Sequence, residues 1–204
     1  MARKTTPRTK TTKVNSTKSP GKAASLAKVL QSRVTLRTPI FFVTSEQVRE
    51  PSGVTARRDV VRHQGSVVVM AVDDTRSPWR VLLIRQFRYA AARELWEFPA
   101  GRIDQHEAVL AAAKRELLEE TGITAKRWKQ ALSFFSSPGF LDETMALFFA
   151  RGLRQGEAQP EEDEVIRTRF FPLSLAVKMV MSGKIQDAKT IAGVLWLEKF
   201  HSQS

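Results

Sequence analysis

The 204-residue chain has no cysteine. That excludes disulfides, thiolate zinc sites and a cysteine nucleophile, and leaves the redox compartment open. Long apolar runs are also missing. A stretch such as VVVMAV at 67–72 is far too short to span a bilayer, and no secretory apolar core is read near the start. A cytoplasmic protein without membrane contact is the expectation. Acidic residues are absent from positions 1–45, which hold ten Lys or Arg; Glu46 is the first acid. The rest of the chain has 23 basic and 21 acidic residues, so the net charge of +12 belongs mostly to the N-terminal segment. It does not argue for a core that binds nucleic acid. Hydrophobic residues at 42% and charged residues at 26% are ordinary for a soluble globular protein. The length allows one domain with a full-sized core.

Residues 1–22 have almost no apolar content, and Pro7 and Pro20-Gly21 interrupt any helix. Such a segment cannot bury enough surface to order itself. The expectation is a basic, disordered tail over 1–33, with contact to nucleic acid or an organelle-targeting role as the alternatives. The stretch AASLAKVLQ at 23–31 reads as a helical turn or two.

From Val34 the pattern becomes that of a folded domain, 34–204. VTLRTPIFFVTSEQV reads as one or two strands with a bend at Pro39, and ARRDVVRH at 56–63 completes an N-terminal hairpin over 34–63. SVVVMAVD is a buried strand by its β-branched run, and WRVLLIRQFR is another. ELWEFPAG leads into a helix. Strands are then expected at WKQALSFF, MALFFARG and VIRTRFFPL, with helices at 173–182 and 186–200. The acidic run GEAQPEEDE at 156–164 reads as a solvated loop. The sum is α+β, a mixed sheet between helices.

The helix after ELWEFPAG carries the chemistry. Positions 107–121 hold strong helix formers and no Gly or Pro. Leu110, Ala113 and Leu117 make an apolar stripe, and Gly122 stands where a left-handed C-cap wants glycine. Glu116, Glu119 and Glu120 share one face within a turn. They repel one another, and they lie at the helix end that disfavours negative charge. A local rule broken this way marks a functional site. Oxygen-only ligands suit hard cations such as Mg2+ or Mn2+. Alone, a Glu triplet reads as a solvated helix face. Here Gly101, Glu107, Arg115 and Gly122 stand in fixed register with it. Seven fixed residue types and two apolar positions arise by chance below about once in a hundred million start points.

This pattern, Gly, five, Glu, seven, Arg-Glu-apolar-any-Glu-Glu-any-Gly-apolar, resembles the complete signature of the Nudix hydrolases. The resemblance covers roughly 34–200 and implies an α/β/α sandwich. It also implies hydrolysis of a nucleoside diphosphate linked to another moiety. Pro138, sixteen residues beyond Gly122, the loop SPGFLDE at 137–143, the N-terminal hairpin and the stretches RQFR and ELWEFPAG resemble the ADP-ribose and nucleotide-sugar branch. On that resemblance the substrate is ADP-ribose, cleaved to AMP and ribose 5-phosphate. The alternatives are GDP-mannose, another nucleotide sugar or capped RNA, or a non-catalytic ADP-ribose sensor, which the intact carboxylates disfavour.

The resemblance assigns roles residue by residue. Glu116 and Glu120 are the main ligands of Mg2+ or Mn2+, Glu119 helps hold a second ion, and the Ala100 carbonyl is a further ligand. Glu107 and Arg115 brace the loop and helix. Glu143 is the general base, with Asp142 or one of Glu161, Glu162 and Glu164 as substitutes. A homodimer sharing its N-terminal strands is implied. From chemistry alone, Arg58 and Arg85 read as phosphate-binding or as surface charges. Pro138 reads as substrate-binding by the resemblance, or with Gly139 as a plain turn. His63, His106 and His201 show no ligand spacing.

Overall fold

The computed structural model describes residues 26–156 and 166–201. In chain order these form β1 (Lys28–Arg37), β2 (Phe42–Arg49), β3 (Thr55–Arg62), β4 (Ser66–Asp73), β5 (Arg80–Arg88), β6 (Arg93–Glu97) and β7 (Ala100–Arg102). They continue with α1 (Val109–Thr121), β8 (Ile123–Phe135), β9 (Thr144–Gln155), β10 (Arg167–Pro172), α2 (Leu173–Met181) and α3 (Ala188–His201). A three-stranded antiparallel sheet, β1-β2-β3, precedes a larger mixed sheet of order β10-β5-β4-β9-β8, in which β4 and β9 run parallel.

The alternation of β4 feeds two cores. Val67, Val69 and Ala71 pack with Ala112, Ala113 and Leu117 of α1 on one face. Val68, Met70 and Val72 pack with residues of α2 and α3, among them Leu173, Ala176, Val194 and Leu197, on the other. Side chains of a strand alternate between faces, so a wholly apolar strand is what a sheet covered on both sides requires. The result is the expected α/β/α sandwich. Gly193 lets α3 sit close: a Cβ there would come 2.8 Å from the Phe98 ring and 3.0 Å from the Met70 sulfur.

One irregularity of the large sheet prepares the site. β4 and β5 pair only at Val72–Val81 and Asp73–Arg80. Elsewhere β7 takes the place beside β4, through Ser66–Arg102, Val67–Gly101 and Val68–Ala100, and β6 pairs with β5. The strands part, and the FPAG segment runs into the wedge.

Two expectations change. The stretch at 23–31 is not helical from Lys28 on, because β1 starts there and pairs with β2. The folded part therefore begins inside the stretch assigned to the tail. Leu110 is 38% exposed, and Ala112 joins Ala113 and Leu117 as the buried face of α1. The basic segment 1–25 and the acidic run at 157–165, with Glu161, Glu162 and Glu164, lie outside the described residues.

Candidate active site

Helix α1 ends on Gly122, whose left-handed backbone (φ 68°) donates its N–H to the Leu118 carbonyl. The last turn of α1 therefore stops against β7, and the Glu side chains face the FPAG segment. The Glu116 carboxylate lies directly over Gly101: a Cβ at that position would fall 2.0–2.2 Å from its carboxylate atoms. No side chain but hydrogen permits that approach. Glu120 is 4% exposed, and its Oε2 accepts the Ala100 N–H at 3.1 Å.

Arg115 organises the other carboxylates. Its Nε and Nη2 donate to the two Glu107 oxygens at 3.0 and 2.9 Å. Nη1 donates to Glu116 Oε1 at 2.7 Å and Glu119 Oε2 at 3.0 Å, and Nη2 also reaches the Arg102 carbonyl at 3.0 Å. The forked pair holds the Glu107 carboxyl below its ordinary range. The same contacts, Glu107 first, raise the guanidinium further above its already high value. Glu107 and Arg115 thus brace loop to helix.

Opposite stands Glu143, after the 137–142 loop. Its Oε1 accepts the Ser66 hydroxyl at 2.6 Å and its Oε2 accepts the Ser136 hydroxyl at 2.8 Å. His63 Nδ1 lies 3.7 Å from Oε1 and accepts the Gly65 N–H at 3.1 Å. Glu143, Glu116, Glu119, Glu120, Ala100 and Arg115 line one cavity of about 440 Å³.

This donor set fits a hard divalent ion. It offers carboxylate oxygens on one helical turn, beside a glycine that leaves the backbone bare. Among the described residues, no three His, Cys, Asp or Glu side chains stand together in metal-holding geometry. Mg2+ does not need such a group. It keeps waters and takes one or two carboxylates together with substrate phosphates.

Three residues chosen for substrate binding lie elsewhere. Arg85 pairs with Glu94 at 2.9 Å and covers the Trp96 ring. Arg58 pairs with Glu50, and with Pro138 and Phe140 it lines a separate hollow of about 420 Å³. The cavity instead recruits Arg88, Arg102, His63, Ser66 and Lys189. Arg88, the last residue of RQFR, lines the cavity, and Arg85, its first, does not. Nothing local marks Lys189, which arrives from α3.

A match to the NUDIX domain family spans residues 62–193. A Bacillus subtilis (strain 168) protein named ADP-ribose pyrophosphatase is 37% identical over 155 residues, 75% of this chain and 82% of its own. A Mycobacterium tuberculosis protein of the same name is 37% identical over 168 residues, 80% of each chain. Among solved structures, one described as an ADP compounds hydrolase superposes with a TM-score of 0.74 at 21% identity. It covers 90% of this chain and 98% of its own, a likeness of fold.

Proposed function

The chain belongs to the NUDIX domain family, and from that premise we propose that it hydrolyses the diphosphate of ADP-ribose to AMP and ribose 5-phosphate. The observation that carries this reading is the single cavity in which Glu116, Glu119 and Glu120 face Glu143. The two relatives named for ADP-ribose support the choice of substrate.

A diphosphate repels a nucleophile by its own negative charge. A bound divalent ion, Mg2+ or Mn2+, cancels that charge and activates water. Glu116 and Glu120 with the Ala100 carbonyl would hold it, and Glu119 would serve a second ion. Arg115 and Glu107 keep these ligands in place. Glu143 takes the proton from the attacking water. Ser66 and Ser136 each hold one of its two oxygens, and each oxygen keeps a second lone pair that can accept from the attacking water. Gly139 gives the preceding loop a point about which to turn. Arg88 offers the substrate phosphates the N–H groups that its own carboxylate partner leaves over. Arg58 and Pro138 lie outside this cavity and reach substrate only across an interface. We therefore read the protein as a homodimer, on the exposure of every residue of β1, its apolar ones included.

The test is hydrolysis with and without Mg2+ over ADP-ribose, GDP-mannose, other nucleotide sugars and capped RNA. ADP-ribose is expected to give the highest kcat/KM. Glu120→Gln is expected to lose about a thousandfold or more in rate, several kcal/mol of transition-state stabilisation, with an unchanged melt. A better substrate than ADP-ribose overturns the substrate. A folded, active Glu120→Gln overturns the metal site.

A further inference from the structure

Of one buried ionic cluster, only Arg88 and its carboxylate partner enter the steps above. Glu97, at the end of β6, is 1% exposed. Arg88 Nε and Nη2 donate to its two oxygens at 2.9 Å each, and Lys189 Nζ donates to Oε2 at 2.5 Å. Lys189 also donates to Asp187 Oδ1 at 2.9 Å. The Asp187 carboxylate is held in turn by the Thr190 N–H at 2.9 Å and hydroxyl at 2.6 Å. Both cations line the cavity with the carboxylates of α1.

A buried carboxylate needs a cation, and Arg88 alone already covers both Glu97 oxygens in a forked pair. Lys189 is a second cation on the same group, with its side chain only 10% exposed. Its ammonium has three N–H donors, and Glu97 and Asp187 account for two. The guanidinium of Arg88 has five, and Glu97 accounts for two. The cluster is neutral within the wall, while its remaining donors belong to residues that border the cavity.

We propose that Lys189, carried in by the C-terminal helix α3, contacts substrate and forms with Arg88 a two-cation cradle for the diphosphate. Glu97 is the shared base that fixes both heads. The ligand chemistry is a phosphate oxygen, because a wall of N–H donors beside a carboxylate-bound divalent ion suits an anion with several acceptor oxygens. This rests on the diphosphate hydrolase reading above.

The experiment compares wild type with Lys189→Met, Lys189→Gln and Lys189→Arg. Steady-state kinetics are run on the best substrate, with calorimetric titration by ADP in Mg2+ and thermal melts alongside. Losing one charge-assisted hydrogen bond to substrate should raise KM and the ADP Kd by about 10- to 100-fold. kcat should stay within a few-fold, and Lys189→Arg should recover most of the binding. Lys189→Gln keeps a donor to Glu97 and covers the case in which Lys189→Met does not fold. A lowered melt with unchanged KM and ADP affinity makes Lys189 purely structural and overturns the cradle. If wild type binds ADP but cleaves no nucleotide sugar, the proposed function fails and the variants still test the cradle by ADP affinity. If wild type does not bind ADP, both fall.

Discussion

At the scale of the residue, two positions separate metal holding from proton transfer. Gly101 faces the Glu116 carboxylate at a distance no methyl group tolerates. In Gly101→Ala the carboxylate must swing away, and a displacement of about 1 Å at a reacting centre costs on the order of a hundredfold. The fold should survive, because the atom that moves is the end of a side chain. We expect kcat/KM to fall by about that factor and the Mg2+ concentration for half-maximal rate to rise. A fall in rate at unchanged metal dependence would remove Glu116 from the ligands. Glu143→Gln should lower kcat by about a hundred- to ten-thousandfold while KM and metal dependence stay put, because a general base acts in the transition state. If most activity survives, Asp142 is the next residue to test. It is engaged by the Arg62 guanidinium at 3.1 Å and the His63 N–H at 2.8 Å.

At the scale of the element, α1 was legible and the first residues of β1 were not, for different physical reasons. The helix is specified locally: helix formers, a glycine C-cap and a carboxylate face occur within one short window, whereas the Glu107–Arg115 pair was implied by the family resemblance alone. Residues 28–31 have the composition of a helix start and join the strand because β2 lies beside them, a tertiary override of propensity. Arg88 and Lys189 stayed hidden for a third reason. They meet at Glu97 through packing of α3 on β6, and no spacing encodes that meeting. The same cluster predicts how the elements respond to acid. Burial pushes the Glu97 carboxyl up, and the Arg88 hydrogen bond and the Lys189 charge outweigh it, so the group titrates below its ordinary value. A depressed folded-state value stabilises above the unfolded value, about 4.3, and the contribution fades as pH falls through the folded one. The wild-type melt should therefore decline below about pH 5. Glu97→Gln should melt lower at pH 7, with Arg88 deprived of its carboxylate and Lys189 left with Asp187 alone, and the gap to wild type should narrow towards pH 3. A gap that is constant from pH 7 to pH 3 would show that Glu97 is not charged in the folded protein.

At the scale of the whole molecule, the small sheet is the part that presents an exposed edge among the described residues. It is tied to the rest near the end of β3: the Val61 N–H donates to the Phe140 carbonyl at 2.8 Å, and Arg62 bonds Asp142. All ten residues of β1 are exposed, including Val34 at 48% and Leu36 at 51%, and β1 is also an edge strand. A ten-residue edge strand, uncovered among the described residues, leaves unpaired N–H and C=O groups that another chain can pair with. A second copy satisfies this, and it would explain why Arg58 and Pro138 stand outside their own chain's cavity. Lysines at Val34 and Leu36 place charge on that edge and should shift sedimentation from dimer to monomer at micromolar concentration. They touch neither α1 nor the FPAG segment, so the folded large sheet should persist. If Arg58 serves the partner's site, the monomer should show a raised KM with Mg2+ dependence intact, and Arg58→Ala in the unaltered background should raise KM similarly. A wild-type protein that sediments as a monomer would end the dimer reading. Arg58 would then be a surface charge paired with Glu50.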